Sequence, residues 1–191
     1  MNMDQKSGLH GSVGQVAAPA PSGSEVNAAQ PASAPDAENV ASTTNKLGAQ
    51  YALRYAAEIK RLDGCPPKDV TTIDIVGFRF AFEDIDDPSN YLPVAVVKPE
   101  RVIAGQPIVQ CCTGYSLSVF NSLESLARKA KQVMKTSPLF LRRVGDHFVA
   151  LKITHNAGVC TEPNASGHFD LFESEDFSYR TSVLNHGRLP L

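Results

Sequence analysis

The first 43 residues contain no Phe, Tyr or Ile, and 23 of them are Ala, Ser, Pro or Gly. That boundary constrains the fold more than any motif does. A segment without large apolar groups has nothing to bury against the entropy cost of ordering its backbone, so residues 1–43 are expected to be a disordered tail. The Ala/Pro-rich stretches Ala17–Pro21 and Pro31–Pro35 read as a polyproline-like spacer. Residues 44–191 hold all nine Phe and all five Tyr. They are enough for one domain, which would bury roughly 70 % of its unfolded surface and fold without a covalent staple.

Charge divides at the same point. Asp4, Glu25, Asp36 and Glu38 against Lys6 leave the tail at −3, and the domain carries the remaining +1 of the chain's −2. Neither part has the basic excess that phosphate-dominated binding requires, so nucleic acid is not expected as a partner. No apolar run approaches 18 residues, which argues against a membrane span. Asp4, Lys6 and His10 interrupt any continuous apolar leader, so no secretory signal is expected. Four cysteines, two of them adjacent and none in Cys-x-x-Cys, do not suggest a disulfide framework. A cytoplasmic protein with idle thiols is the expectation, and export by a route that reads the N-terminal tail stays compatible with it.

Periodicity supplies the elements. Leu47, Tyr51, Tyr55, Ile59 and Leu62 form one stripe of a helix that begins at Thr44 or Asn45 and stops at Gly64. Ile73–Phe82 alternates as a strand, with a change of parity at Val76-Gly77 that a β-bulge would explain. An acidic turn, Glu83–Asp87, ends at Pro88. Leu92–Val97, Ile108–Cys112 and Tyr115–Phe120 read as strands. Asn121 is placed to cap a second helix with a buried face of Leu123, Leu126, Ala127, Ala130, Val133 and Met134, ended by Pro138. His147–Thr154, His168–Glu173 and Tyr179–Leu184 read as further strands. The pattern predicts an α+β domain over 44–191, with two main helices packed on a largely antiparallel sheet of five to seven strands.

No phosphate loop, dinucleotide fingerprint or zinc-protease motif is present, and no Cys/His pair has ligand spacing, so neither cofactor nor metal is expected. Three groups of residues are chemically suggestive. Cys111 and Cys112, on a strand, would face opposite sides, so one of them is a candidate nucleophile if His147 or His168 lies within reach. His168 and Asp170, two apart on a strand, share a face and pair an imidazole with a carboxylate. Cys112, His168 and Asp170 are therefore the catalytic candidates. Arg128, Lys131, Arg142 and Arg143, with Lys129 and Lys135, concentrate positive charge around the second helix and its exit. They are the binding candidates for a protein partner, and the acidic turn offers the opposite sign for self-association.

Gln106 lies five residues before Cys111, and His147–Leu151 is followed fifteen to sixteen positions later by Glu162-Pro163. These two fragments resemble papain-like peptidases of the bacteriocin-processing type, which implies a Cys111 nucleophile, a Gln106 oxyanion donor and a His147 base. The chain departs from that pattern where the family's Cys opens a helix and where its Asp before Pro is Glu162. More broadly, Ser116–Phe120, Ser122-Leu123-Glu124 and Gly167–Glu173 resemble a group of short uncharacterised bacterial proteins over about residues 91–184. That likeness implies a bacterial origin and a single domain, and it brings no activity. The leading expectation is an interaction or accessory protein working through charged patches. A small cysteine- or histidine-dependent hydrolase or transferase is the alternative, and an exported effector or toxin the third.

Overall fold

The computed structural model describes residues 51–101 and 108–191. The expected tail, the start of the first expected helix and Gln106 lie outside the described residues. The described chain is α+β. Six strands, β1 (Ile75–Ala81), β2 (Leu117–Phe120), β3 (His147–Ile153), β4 (Gly158–Cys160), β5 (His168–Glu173) and β6 (Val183–Arg188), form one sheet in the order β4-β5-β2-β1-β3-β6. Every neighbouring pair is antiparallel.

The helices are α1 (Ala56–Ile59), α2 (Val94–Val97), α3 (Ile108–Thr113), α4 (Leu123–Met134), α5 (Phe140–Val144) and α6 (Tyr179–Ser182). Only α4 is long. Ser122 caps it, accepting from the Ser125 backbone N–H at 3.1 Å, so the cap stands one residue later than Asn121. No helix among the described residues is long and apolar enough to cross a membrane.

Strand alternation separates two buried layers. Leu117, Val119, Val149, Leu151, Ile153, Phe169 and Leu171 fill one face, closed by Ile85, Phe177 and Tyr179. On the other face Phe78, Phe80, Phe120, Phe148 and Ala150 pack under Leu123 and Leu126 of α4 and Leu141 of α5. Beside them a second cluster joins Leu53, Ile59, Val70, Val159 and Phe172. Between these two clusters the register sets Ser118 opposite Asp170 and Phe120 opposite His168, leaving a polar strip on the helical side.

Several expected elements take another form. Among the described residues the first expected helix is a single turn, because residues 52–54 are tied to the sheet instead: Leu53 bridges Ser174, Arg54 N–H donates to Glu173 O, and Glu175 N–H donates to Ala52 O. The stripe still does its work, with Tyr51, Tyr55 and Ile59 all in the second cluster. There is no bulge at Val76-Gly77, since β1 pairs with β3 in unbroken register from Ile75↔Ile153 to Ala81↔His147. The apparent change of parity arises because Gly77 and Arg79 occupy core-facing positions. An added Cβ on Gly77 would come 2.5 Å from Val119 Cγ1 and 2.6 Å from Ile153 Cδ1, so the room there is filled by its neighbours. Leu92–Val97 is not a strand. Pro93 has no N–H for a ladder and instead precedes the one-turn α2. Ile108–Cys112 is helical, not extended. Tyr179–Leu184 divides into α6 and the start of β6.

Cys65 and Cys112 form a disulfide with Cα atoms 5.6 Å apart. This corrects the expectation of four idle thiols. Cys111 and Cys160 carry no disulfide and are buried.

Candidate functional site

The polar strip is held by the loop that leads into β5. Asn164 Oδ1 accepts from the Ser166 N–H at 2.9 Å and from the His168 N–H at 3.2 Å, an Asx arrangement that sets the strand's first residue. Gly167 has φ of 80°, and a Cβ there would lie 2.4 Å from Asn121 Oδ1 and 2.6 Å from Ser125 Oγ. Only glycine permits that backbone angle and that approach, so β5 begins hard against the N-terminus of α4.

Along the strip, Ser118 Oγ lies 2.6 Å from His168 Nε2. Ser118 is exposed, and His168 is half-buried with its ring edge-on to Phe120 at 5.2 Å. Burial holds the His168 imidazole below its ordinary pKa; the charge of Asp170 opposes that and the charge of Lys129 assists it. Asp170 is pushed upward by burial, against the Ser116 hydrogen bond and the charge of His168. No hydrogen bond joins Asp170 to His168; the carboxyl instead meets Ser116 Oγ at 2.7 Å. Ser116 Oγ is also 2.8 Å from the Thr113 carbonyl. A hydroxyl has one proton and a carbonyl has none, so both contacts are filled with hydrogen only when Asp170 is itself protonated.

The expected catalytic residues divide. His168 and Asp170 share the strip as the alternation implies. Cys112 does not join them: its sulfur is bonded to Cys65 inside the second cluster, and in that form it supplies no thiolate. Strand geometry for the Cys111-Cys112 pair is also lost, because both sit on α3 and both are buried. His147 lies elsewhere, with Nδ1 2.8 Å from Asp146 Oδ1 and its ring stacked on His186 at 5.4 Å. Glu162 is exposed. With Gln106 outside the described residues, the rest of the peptidase-like set stands as Cys111 buried on α3, His147 beside Asp146, and Glu162 exposed.

The binding candidates lie on α4 and α5. Arg128 is partly engaged, donating to Ser125 Oγ at 3.0 Å and standing 3.6 Å from Glu124. Lys131, Arg142 and Arg143 are exposed, and no carboxylate among the described residues is within ion-pair distance of them. Lys131 and Lys135 border a shallow groove of about 720 Å³ that Leu123, Ala127 and Pro190 also line. The acidic turn is more occupied: Asp86 pairs with Arg180 at 2.9 Å, and Asp87 caps the Ser89 N–H at 2.8 Å.

Two polar features escape sequence reasoning. Ser118 completes the strip, and the only hint of it is the polar parity of Ser116 and Ser118. On the opposite face Glu173, 2 % exposed, accepts a short hydrogen bond from Tyr179 Oη. Its Oε1 is 3.2 Å from Arg54 Nε yet accepts no hydrogen bond, so the contact is an ion pair out of line with the N–H. Arg79, also turned to this face, donates to the carbonyls of Asn90, Ser118 and Leu92 at 2.8, 3.1 and 3.0 Å. Burial raises the Glu173 carboxyl, and Tyr179, Arg54 and Arg79 oppose it. This network fastens the segment around residue 54, α6 and the 88–92 loop onto the sheet.

Among the described residues, no group of three or more His, Cys, Asp or Glu is arranged to hold a metal ion. No protein-family model, curated protein or solved structure matches the chain.

Proposed function

We propose that the domain is an interaction module that takes an acidic segment of a protein partner on the basic face of α4 and α5. The observation that carries this reading is the set of exposed cations without carboxylates in ion-pair range: Lys131 and Lys135 border a groove lined by Leu123, Ala127 and Pro190, where Arg128 stands beside Glu124, and Arg142 and Arg143 follow on α5. Unneutralised charge of one sign attracts the opposite sign, and apolar floor area adds affinity once a segment is seated. The acidic turn serves this role poorly, since Asp84, Asp86 and Asp87 are already engaged by local caps and by Arg180, and that argues for a separate partner over self-association.

The Cys65–Cys112 bridge bears on where the module works. Disulfides persist in oxidising compartments, and a domain of this size does not need one to fold. The bridge favours an exported protein over a cytoplasmic one, in keeping with the expected effector or toxin role.

The test is fluorescence anisotropy with a labelled Glu-rich peptide at two salt concentrations. Arg142→Glu with Arg143→Glu should weaken binding about tenfold or more, and added salt should weaken the wild type. Equal affinity of the double variant, or tighter binding to duplex DNA than to the peptide, would refute the reading.

A further inference from the structure

We propose that Ser118 and His168 form a nucleophile–base pair on the open strip of the sheet, competent to cleave small carboxylic esters by acyl transfer. The geometry meets the first requirement for an activated serine: Oγ and Nε2 are 2.6 Å apart, within the reach that proton transfer needs. It meets the second as well, because Ser118 is exposed in mid-sheet between the two helix-covered clusters, where a small ester can approach it.

The base is held in place from three sides. The Asn164 cap fixes its backbone, Phe120 packs against the ring, and Gly167 anchors the strand start against α4. Burial favours the neutral ring, and in the tautomer with its proton on Nδ1 the Nε2 lone pair faces the Ser118 hydroxyl. Asp170 makes no hydrogen bond to the ring and is engaged by Ser116, so the arrangement is a dyad with a neighbouring carboxyl.

In the reaction, Ser118 Oγ bonds to the ester carbonyl carbon and its proton passes to His168 Nε2. The bond from that carbon to the leaving oxygen breaks, and the departing alcohol takes the proton from His168. Water then attacks the acyl-serine with its proton going to Nε2. The acid is released as Ser118 regains a hydrogen.

The experiment uses the full chain and a fluorophosphonate probe, which reports the same activation: an O–P bond forms at serine, the P–F bond breaks, and the proton goes to the base. Peptide mapping by mass spectrometry should place the adduct on Ser118, ahead of exposed Ser166 and Ser178. Ser118→Ala should abolish it, and His168→Gln should slow it by about a hundredfold, the lower end of a positioned base's contribution. In wild type the labelling rate should rise with pH through a midpoint below 6.5, a readout that needs no variant to fold. Labelling of Ser118 no faster than of Ser166, an undiminished rate in His168→Gln, or a rate that does not fall on acidification below pH 6.5 would each overturn the proposal.

Discussion

Reducing the Cys65–Cys112 bond should remove a large part of the domain's stability. The two cysteines are 47 positions apart. In the chain-entropy treatment a loop of that length limits the unfolded ensemble by about 4 kcal/mol at 25 °C. Residual structure in the reduced, unfolded chain lowers that figure, so a loss of about 2–4 kcal/mol is expected. Against a typical total of roughly 5–15 kcal/mol the reduced protein would stay folded but be markedly weaker. A domain of this size loses roughly 2–4 °C per kcal/mol, which places the fall in Tm near 10 °C. Urea unfolding followed by far-UV circular dichroism, with and without reductant, measures the effect. Cys65→Ala with Cys112→Ala should lie at or below the reduced wild type, since it also removes sulfur from a cluster with Leu53, Ile59 and Val70. Because Cys111 adjoins Cys112, peptide mapping under non-reducing conditions must show the 65–112 pair and not 65–111. A shift under about 0.5 kcal/mol, or four titratable thiols in the unreduced, unfolded chain, would refute the reasoning.

Two further outcomes follow from packing and burial. Gly77→Ala should cost about 1–3 kcal/mol, because the new methyl meets Val119 and Ile153 inside normal contact distance; a thermal melt that does not move would show that this face is not close-packed. Acidification should destabilise the fold through His168, whose folded pKa lies below 6.5, so the unfolded chain takes up a proton that the folded chain refuses as pH falls from 6.5. Asp170 and Glu173 have the opposite sign: their raised values mean that any stability from holding their protons is lost as pH climbs through those values. His168→Gln should therefore flatten the slope of stability against pH below 6.5, as measured by urea midpoints, and an unchanged slope would contradict the burial of the ring.

The sequence announces the parts whose pattern has one reading. Val149, Leu151 and Ile153 alternate as β3 requires, Phe169 and Leu171 do the same in β5, and the spacing of Leu123, Leu126, Ala127 and Ala130 fits only a helix. Short apolar runs are ambiguous in principle, which is why Ile108–Cys112 reads as a strand and folds as a helix. At Gly77 and Arg79 the core-facing positions hold no apolar side chain, so alternation points the wrong way although the strand itself is regular. His168 and Asp170 can be paired from spacing alone. Their partners Ser118 and Ser116 come from another strand and its approach, and only the register supplies them. The disulfide is equally silent, because cysteines in separate segments carry no mark of which one they will meet.

The order β4-β5-β2-β1-β3-β6 also has a consequence for how the chain is made. β1 lies inside the sheet, yet its partner β3 is distant, with Ile75 opposite Ile153. At about 5–20 residues per second, the intervening stretch of roughly 80 residues takes roughly 4–16 s to synthesise. Through that interval Phe78 and Phe80 have no strand beside them on that edge, and the backbone of β1 is open to any other extended segment. Pairing across such separations is also slow once both strands exist. β6, which borders β3, follows it in the chain, so the sheet is completed only after Val183–Arg188 has been made. The nascent domain is thus a natural client for holding chaperones until β3 emerges and covers that edge of β1.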